Sequence, residues 1–227
     1  MILDILEQFL EEMKKHNPYK LIAKGGTTLS IFYLDHHRES EDLDFDTTIN
    51  KANHKKIESY LLNILENLKK KGLIKSYSKG KSGLASTNRY HMKLRIETHK
   101  IYYTKIDVDF VKDIKNFNKK GELLIYKLER IFIGKCICFI DRKEFKDIYD
   151  ISYILPKIDF KTFLGNKNVV KLIEDFIGAV NKEEVIPLYK KTFRNVDLRF
   201  KDVRESNIED FIFKLVKNLR IFRNKIK

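Results

Sequence analysis

The chain of 227 residues has no tryptophan, two cysteines, three prolines and nine glycines. Two cysteines are too few for a disulfide-stapled scaffold. Cys136 and Cys138 stand two apart in an apolar run, where helical geometry would point them about 200° from each other. A local disulfide or a shared metal does not suit that separation, and buried thiols in a reducing compartment are expected. Long apolar runs are missing too: no stretch reaches the roughly 18 uninterrupted apolar residues of a membrane helix. Residues 1–13 carry Asp4, Glu7, Glu11 and Glu12 among their apolar positions, which fits neither a signal peptide nor a span, so a cytoplasmic location is expected.

What the chain does have is core material and positive charge. Hydrophobic residues make up 43% of it, enough to exclude intrinsic disorder. Lys plus Arg number 46 against 32 Asp plus Glu, a net +14 that attracts polyanions and repels basic partners. Residues 1–115 hold 21 basic and 16 acidic residues and residues 116–227 hold 25 and 16, so the second half is expected to carry the stronger polyanion-facing surface.

Apolar spacing predicts a helix over 2–15, ending before Asn17-Pro18, then a strand at 19–23 and a glycine-marked turn at Lys24-Gly25-Gly26-Thr27. Helical character follows at 28–34, an alternating acidic strand at 43–48 and a helix at 57–68. Segments 74–77, 90–97 and 101–111 read as an antiparallel meander, with a turn cluster around Gly80, Ser82 and Gly83. Beyond residue 121 the spacing is helical at 123–140, 144–155, 169–180 and 208–226. The expected architecture is α+β: a mixed-sheet domain flanked by helices over 1–118, then a C-terminal helical bundle domain over 119–227.

The most informative stretch is Arg38-Glu39-Ser40-Glu41-Asp42-Leu43-Asp44-Phe45-Asp46. On a strand, residues two apart share a face, so Asp42 and Asp44 project together while Leu43 and Phe45 face a core. Neighbouring carboxylates repel unless a cation lies between them, and hard oxygen donors suit Mg2+, with Mn2+ as the substitute. Asp107 and Asp109 share the polar face of a second predicted strand and could add a third carboxylate. A solvated sheet face with acids paired to lysines would show the same alternation. The glycine turn shifts the balance: Gly25 and Gly26 let backbone approach an anion closely, and Thr27 or Thr28 would open a helix whose free N–H groups attract phosphate. A phosphate cradle beside a carboxylate metal site is the equipment of phosphoryl or nucleotidyl transfer.

Lys24-Gly25-Gly26-Thr27-Thr28-Leu29 followed by Arg38-Glu39-Ser40-Glu41-Asp42-Leu43-Asp44-Phe45 resembles the opening motif of the AbiEii/AbiGii toxin family of nucleotidyltransferases, within the polymerase-β-like superfamily. Leu128-Glu129-Arg130-Ile131-Phe132-Ile133-Gly134-Lys135, then Arg142 and Lys146-Asp147-Ile148-Tyr149-Asp150-Ile151, is similar to that family's later block. The resemblance spans roughly residues 24–151. It implies that Asp42 and Asp44 are the metal-binding pair with Ser40 beside them, and that Asp107, in preference to Asp109, is the acid of the central strand. It further implies that Lys135 contacts nucleotide phosphates and that Asp147 or Asp150 is the acid of the last motif. Lys24 to Thr28 and Ser40 are the expected nucleotide-binding residues. Many superfamily members carry Gly-Ser nearer to D-x-D, so Thr27, Thr28 and Ser40 all stand as candidates for the γ-phosphate contact.

The activity implied is Mg2+-dependent transfer of a nucleotide from an NTP to an RNA, tRNA-like, or protein acceptor, as the toxin of a toxin–antitoxin or phage-defence system with a cognate antitoxin. The rival reading is a catalytically silent RNA-binding or antitoxin-binding module. The histidines show no zinc-ligand spacing. Tyr77, Tyr90, Tyr102 and Tyr103 fall beside Lys75, Lys79, Lys81, Arg89 and Lys93, a combination that could stack bases, although aromatic residues are also ordinary strand formers. The basic C-terminal helix, with Lys214, Lys217, Arg220, Arg223, Lys225 and Lys227, points to RNA more than to a membrane surface.

Overall fold

The computed structural model describes residues 2–86, 88–180, 185–188, 200, 202–204 and 206–227. It divides into two compact units, Met1–Lys127 and Leu128–Lys227. Helix α1 (Ile2–Lys15) buries Leu3, Leu6, Phe9, Leu10 and Met13, the stripe that three- and four-residue spacing dictates. Asn17 then ties the turn down: its amide Nδ2 donates to the Leu21 carbonyl at 2.9 Å and its Oδ1 accepts from the Leu21 N–H at 3.0 Å. Strand β1 (Ile22–Lys24) runs straight into helix α2 (Gly25–Phe32). Strand β2 (Leu43–Thr47), helix α3 (His54–Lys70), strands β3 (Ser76–Ser86), β4 (Arg89–Glu97) and β5 (Ile101–Phe110), and the hairpin β6 (Phe117–Lys120) and β7 (Leu123–Tyr126) complete the first unit.

The seven strands form one mixed sheet in the order β3-β4-β5-β2-β1-β7-β6. β2 pairs parallel to β5 and β1 parallel to β7, while the other neighbours are antiparallel. Leu43, Phe45, Tyr90, Met92, Leu94, Ile96, Ile106 and Val108 share a core with α1 and with Ile57, Leu61, Leu65 and Leu68 of α3. Burying each of these large apolar side chains contributes roughly 1.5–3 kcal/mol. Because strand residues alternate, the acidic residues of β2 and β5 lie on the opposite face from this core.

Two sequence expectations are corrected. Gly80, Ser82 and Gly83 do not form a turn but lie inside β3, whose pairing with β4 shifts register between Lys79 and Ser82; the extra residues are absorbed as an irregularity in the ladder. Residues 123–126, expected to be helical, are strand β7, since Leu124 and Ile125 complete a ladder with Ile22 and Ala23. The unit boundary therefore falls at Lys127/Leu128, beyond the expected 118/119.

The second unit contains helices α4 (Leu128–Arg142), α5 (Phe145–Ile154), α6 (Lys167–Ala179) and α7 (Ile208–Ile226). Rings of Phe139 and Phe176 lie 5.1 Å apart, and Phe132 and Phe222 5.8 Å, packing α4 against α6 and α7. Cys136 is buried and Cys138 half-buried on α4, both reduced, and burial pushes the Cys136 thiol up from its ordinary pKa. With the boundary placed at 127/128, the first unit carries 24 basic and 17 acidic residues and the second 22 and 15, so each is +7. The expected concentration of positive charge in the helical half disappears, because Lys119, Lys120 and Lys127 precede the boundary. Among the described residues no helix is long and apolar enough to cross a membrane.

Candidate active site

The parallel register of β2 and β5 sets Asp44 opposite Asp107 and Asp46 opposite Asp109. Four acids thus form two rows on one face of the sheet, and the rows have different surroundings. In the Asp46/Asp109 row, the ammonium of Lys24 bonds to Asp46 and lies 2.7 Å from Asp109 Oδ2. Arg89 also grips Asp109 with two bonds, Nε to Oδ1 at 2.6 Å and Nη2 to Oδ2 at 2.9 Å, while the Tyr126 hydroxyl donates to Asp46 at 2.7 Å. Burial works against ionisation of Asp109, but Arg89 and Lys24 outweigh it and hold its carboxyl below the usual range. That row is neutralised by the fold's own cations.

The Asp44/Asp107 row is only partly so. Burial, reinforced by Asp107 and Asp42, raises the Asp44 carboxyl above its ordinary value despite Lys24 and Lys105. Asp107 is buried; its Oδ1 lies 2.7 Å from His91 Nδ1 and its Oδ2 3.3 Å from the Lys105 ammonium. Lys105 also lies 3.5 Å from Asp42 Oδ2. Burial lowers its affinity for the proton, yet Asp42, Asp107 and Asp44 together overcome this and raise it. Lys105 is thus a side-chain counter-ion among three acids. Among the described residues, no three His, Cys, Asp or Glu side chains already converge as ligands. The donor set still fits a hard divalent cation: carboxylates from adjacent strands, one of them destabilised in its charged form, with one lysine to offset them.

Helix α2 lies against this row. Gly25 has φ +79, and a Cβ there would stand 2.3 Å from Asp44 Oδ2, so only glycine lets the helix start under that carboxylate. A Cβ at Gly26 would stand 2.4 Å from Arg38 Nη2. Arg38 is itself buried and donates from Nη1 to the Glu39 carbonyl at 2.7 Å. The hydroxyls of α2 turn inward. Thr27 and Thr28 are buried; Thr27 Oγ1 donates to the Asp42 carbonyl and lies 2.8 Å from Ser40 Oγ, and Ser30 Oγ donates to the Arg38 carbonyl at 2.9 Å. The structure therefore places Thr27 and Ser40 as fasteners that hold the acidic loop along α2. Lys24, expected among the nucleotide-binding residues, has its ammonium engaged by Asp46 and Asp109.

In the second unit, Lys135 lies 3.0 Å from Asp147 Oδ1 and 2.7 Å from Asp150 Oδ2, all three buried. Arg142 adds two bonds to Asp147, at 2.9 and 2.8 Å. Placing Lys135 one turn after Ile131 on α4, opposite Asp147 and Asp150 on α5, brings together the later-motif residues. Sequence reasoning did not place His91, Lys105 or Arg89 at the carboxylates. Lys105 carried a legible signal, standing two residues before Asp107 and so on its face; His91 and Arg89 become visible only with the β4–β5 register.

Residues 8–219 match the family described as nucleotidyl transferase AbiEii toxin, type IV TA system. The chain belongs to this family. It is a nucleotidyltransferase, and its family's proteins are toxins of type IV toxin–antitoxin systems. No curated protein matches it significantly. Among solved structures, JHP933 from Helicobacter pylori shares 18% identity over 98% of this chain and 90% of that one, with a TM-score of 0.70. MenT4, the nucleotidyltransferase toxin Rv2826c from Mycobacterium tuberculosis, shares 16% identity over 99% and 84%, with a TM-score of 0.53. At these identities the two structures establish the fold. The segments that resemble AbiEii motifs fall on the start of α2, on β2 with Asp42 just before it, and on the α4–α5 pair.

Proposed function

We propose that this AbiEii-family enzyme transfers a nucleotide from an NTP to the 3′ end of an RNA, with Asp42, Asp44 and Asp107 holding Mg2+. The observation that carries the reading is the only partly neutralised Asp44/Asp107 row beside the N-terminus of α2, in contrast to the saturated Asp46/Asp109 row one step further along the same strands. A divalent cation there supplies positive charge against the triphosphate and the leaving pyrophosphate. The N–H groups of Gly25 and Gly26 face phosphate, and Thr27 and Ser40 keep the acidic loop in register. Asp107, with His91 beside it, helps activate the attacking hydroxyl, as metal ligand or as general base. The family resemblance also makes Lys135 a candidate nucleotide-binding residue; within the second unit its ammonium is held by Asp147 and Asp150. RNA is favoured over a protein acceptor by the net +14.

The test is transfer of labelled nucleotide in the presence of Mg2+ and total tRNA, comparing the native chain with Asp42→Ala plus Asp44→Ala. Labelled RNA from the native chain alone supports the assignment. Equal labelling by both proteins, or label found in protein only, overturns it.

A further inference from the structure

The carboxylate row continues into an open sheet face that the assignments above leave unused. On β5, Asp107, Lys105 and Tyr103 alternate onto one face, and their cross-strand partners on β4 are His91, Lys93 and Arg95. The next strand adds small residues beside them: Ser78 is the partner of Arg95, Gly83 of His91, and Gly80 lies alongside Lys93. Lys93 is exposed, Lys105 and Arg95 half-exposed, and Tyr103 is 72% exposed, the most open of the large hydrophobic residues among those described. Beyond Asp107 the acid of this strip among the described residues is Glu97, at its far end, 3.4 Å from Arg95. Of the four tyrosines in the meander, Tyr90 is in the core and Tyr77 and Tyr102 pack against it. Tyr103 alone faces outward.

We propose that this β4–β5 face is the track on which the single-stranded 3′ end of the acceptor RNA lies, with Tyr103 stacking a base and Lys93 and Arg95 holding phosphates. The inference rests on the nucleotidyltransfer-to-RNA reading and places its acceptor on the first unit. Three features select a nucleic-acid strand as the occupant. The strip is cationic beside an anion-rich centre, so it attracts a polyanion and leads it toward the carboxylates. A tyrosine between cations is the pairing that binds unpaired bases and their backbone without needing a groove. The small side chains of β3 leave the strip open along its outer edge. Tyr103 stands four residues from Asp107, about 14 Å along the strand, so a stacked base and a reacting 3′ hydroxyl belong to one short single-stranded segment.

The test is binding of a labelled single-stranded RNA ending in a free 3′ hydroxyl to the full chain carrying Asp42→Asn and Asp44→Asn, which removes turnover from the readout. On that background, Tyr103→Ala is expected to weaken binding about tenfold and Tyr103→Phe to restore it. Lys93→Ala with Arg95→Ala should lower the slope of log affinity against log salt by about 1.4, two charges at roughly 0.7 each. Lys214→Ala, Lys217→Ala and Arg220→Ala together on α7 should leave both measurements unchanged. Circular dichroism melting of each variant separates lost contacts from lost folding. Equal RNA binding by the native face and its variants, or loss of binding in the α7 variant only, overturns this track while leaving nucleotidyl transfer to RNA standing. Absence of RNA binding by the unsubstituted face overturns both.

Discussion

Asp107→Asn and Asp109→Asn are nearly the same change two residues apart on one strand, and the structure expects opposite consequences. Asp109 accepts two bonds from Arg89 and one from Lys24. Charge-assisted bonds of this kind contribute about 1.5–3 kcal/mol each when shielded, but the Arg89 side chain is 50% exposed, so its share is nearer the ~1 kcal/mol of a surface pair. Losing the charge at Asp109 should cost about 2–3 kcal/mol, roughly 5–10 °C in melting temperature for a chain of this size. Asp107→Asn loses attraction to Lys105 but relieves repulsion from Asp44 and Asp42, so stability should change by less than about 1 kcal/mol. Activity should behave the other way. Transfer falls at least about 100-fold for Asp107→Asn, the usual loss when a positioned acid–base or ligand group is removed, while Asp109→Asn retains most of its rate below its new melting point. Circular dichroism melts and labelled-nucleotide transfer on the same preparations measure both. A stable, inactive Asp109→Asn beside an active, destabilised Asp107→Asn would refute the division into a reactive row and a neutralised one.

Glu58 is buried and accepts from Tyr90 at 2.6 Å and Lys79 at 3.0 Å; burial opposes its ionisation, but these partners hold its pKa down to about 2. Its stabilisation is therefore complete above the unfolded value near 4.5 and is lost as pH falls through that value toward 2. At most about 3 kcal/mol is involved, nearer 2 once the exposure of Lys79 is allowed for, so acid titration of Glu58→Gln should show a flatter loss of stability across that window than the native chain. Gly25→Ala should abolish transfer without global unfolding, since its Cβ would strike Asp44 and its φ of +79 is strained for alanine; an active alanine variant with unchanged NTP affinity would contradict the close approach. Lys135→Met leaves Asp147 and Asp150 buried without their lysine, at a cost of roughly 3–5 kcal/mol, read as a lower melting temperature at neutral pH.

Much of the arrangement was legible along the chain because it depends on local periodicity. The stripe of α1, the alternation of Leu43, Asp44, Phe45 and Asp46, and the helices of 145–154 and 208–226 follow from side-chain spacing that any packed context preserves. That Asp107 and Asp109 would share one strand face was legible for the same reason; that Gly25 lets α2 start against Asp44 was not.

Pairing between distant strands carries no such local trace. Residues 123–126 form an apolar run that suits a helix or a buried strand equally, and the ladder to Ile22 and Ala23 makes it a strand. That one strand moves the boundary, takes three lysines with it and removes the apparent charge asymmetry. That the Thr27 hydroxyl donates to the Asp42 carbonyl is likewise set by the chain's return along α2 and leaves no trace in the local sequence. Alternation equally put Asp107 and Asp109 on one face without ranking them. What separates them is that Lys24 and Arg89 arrive from β1 and β4 to neutralise one, while Asp44 and Asp42 crowd the other. Which residue types face together is a property of a strand's own pleat; whether their charges are matched or left unmatched depends on neighbours that only folding supplies.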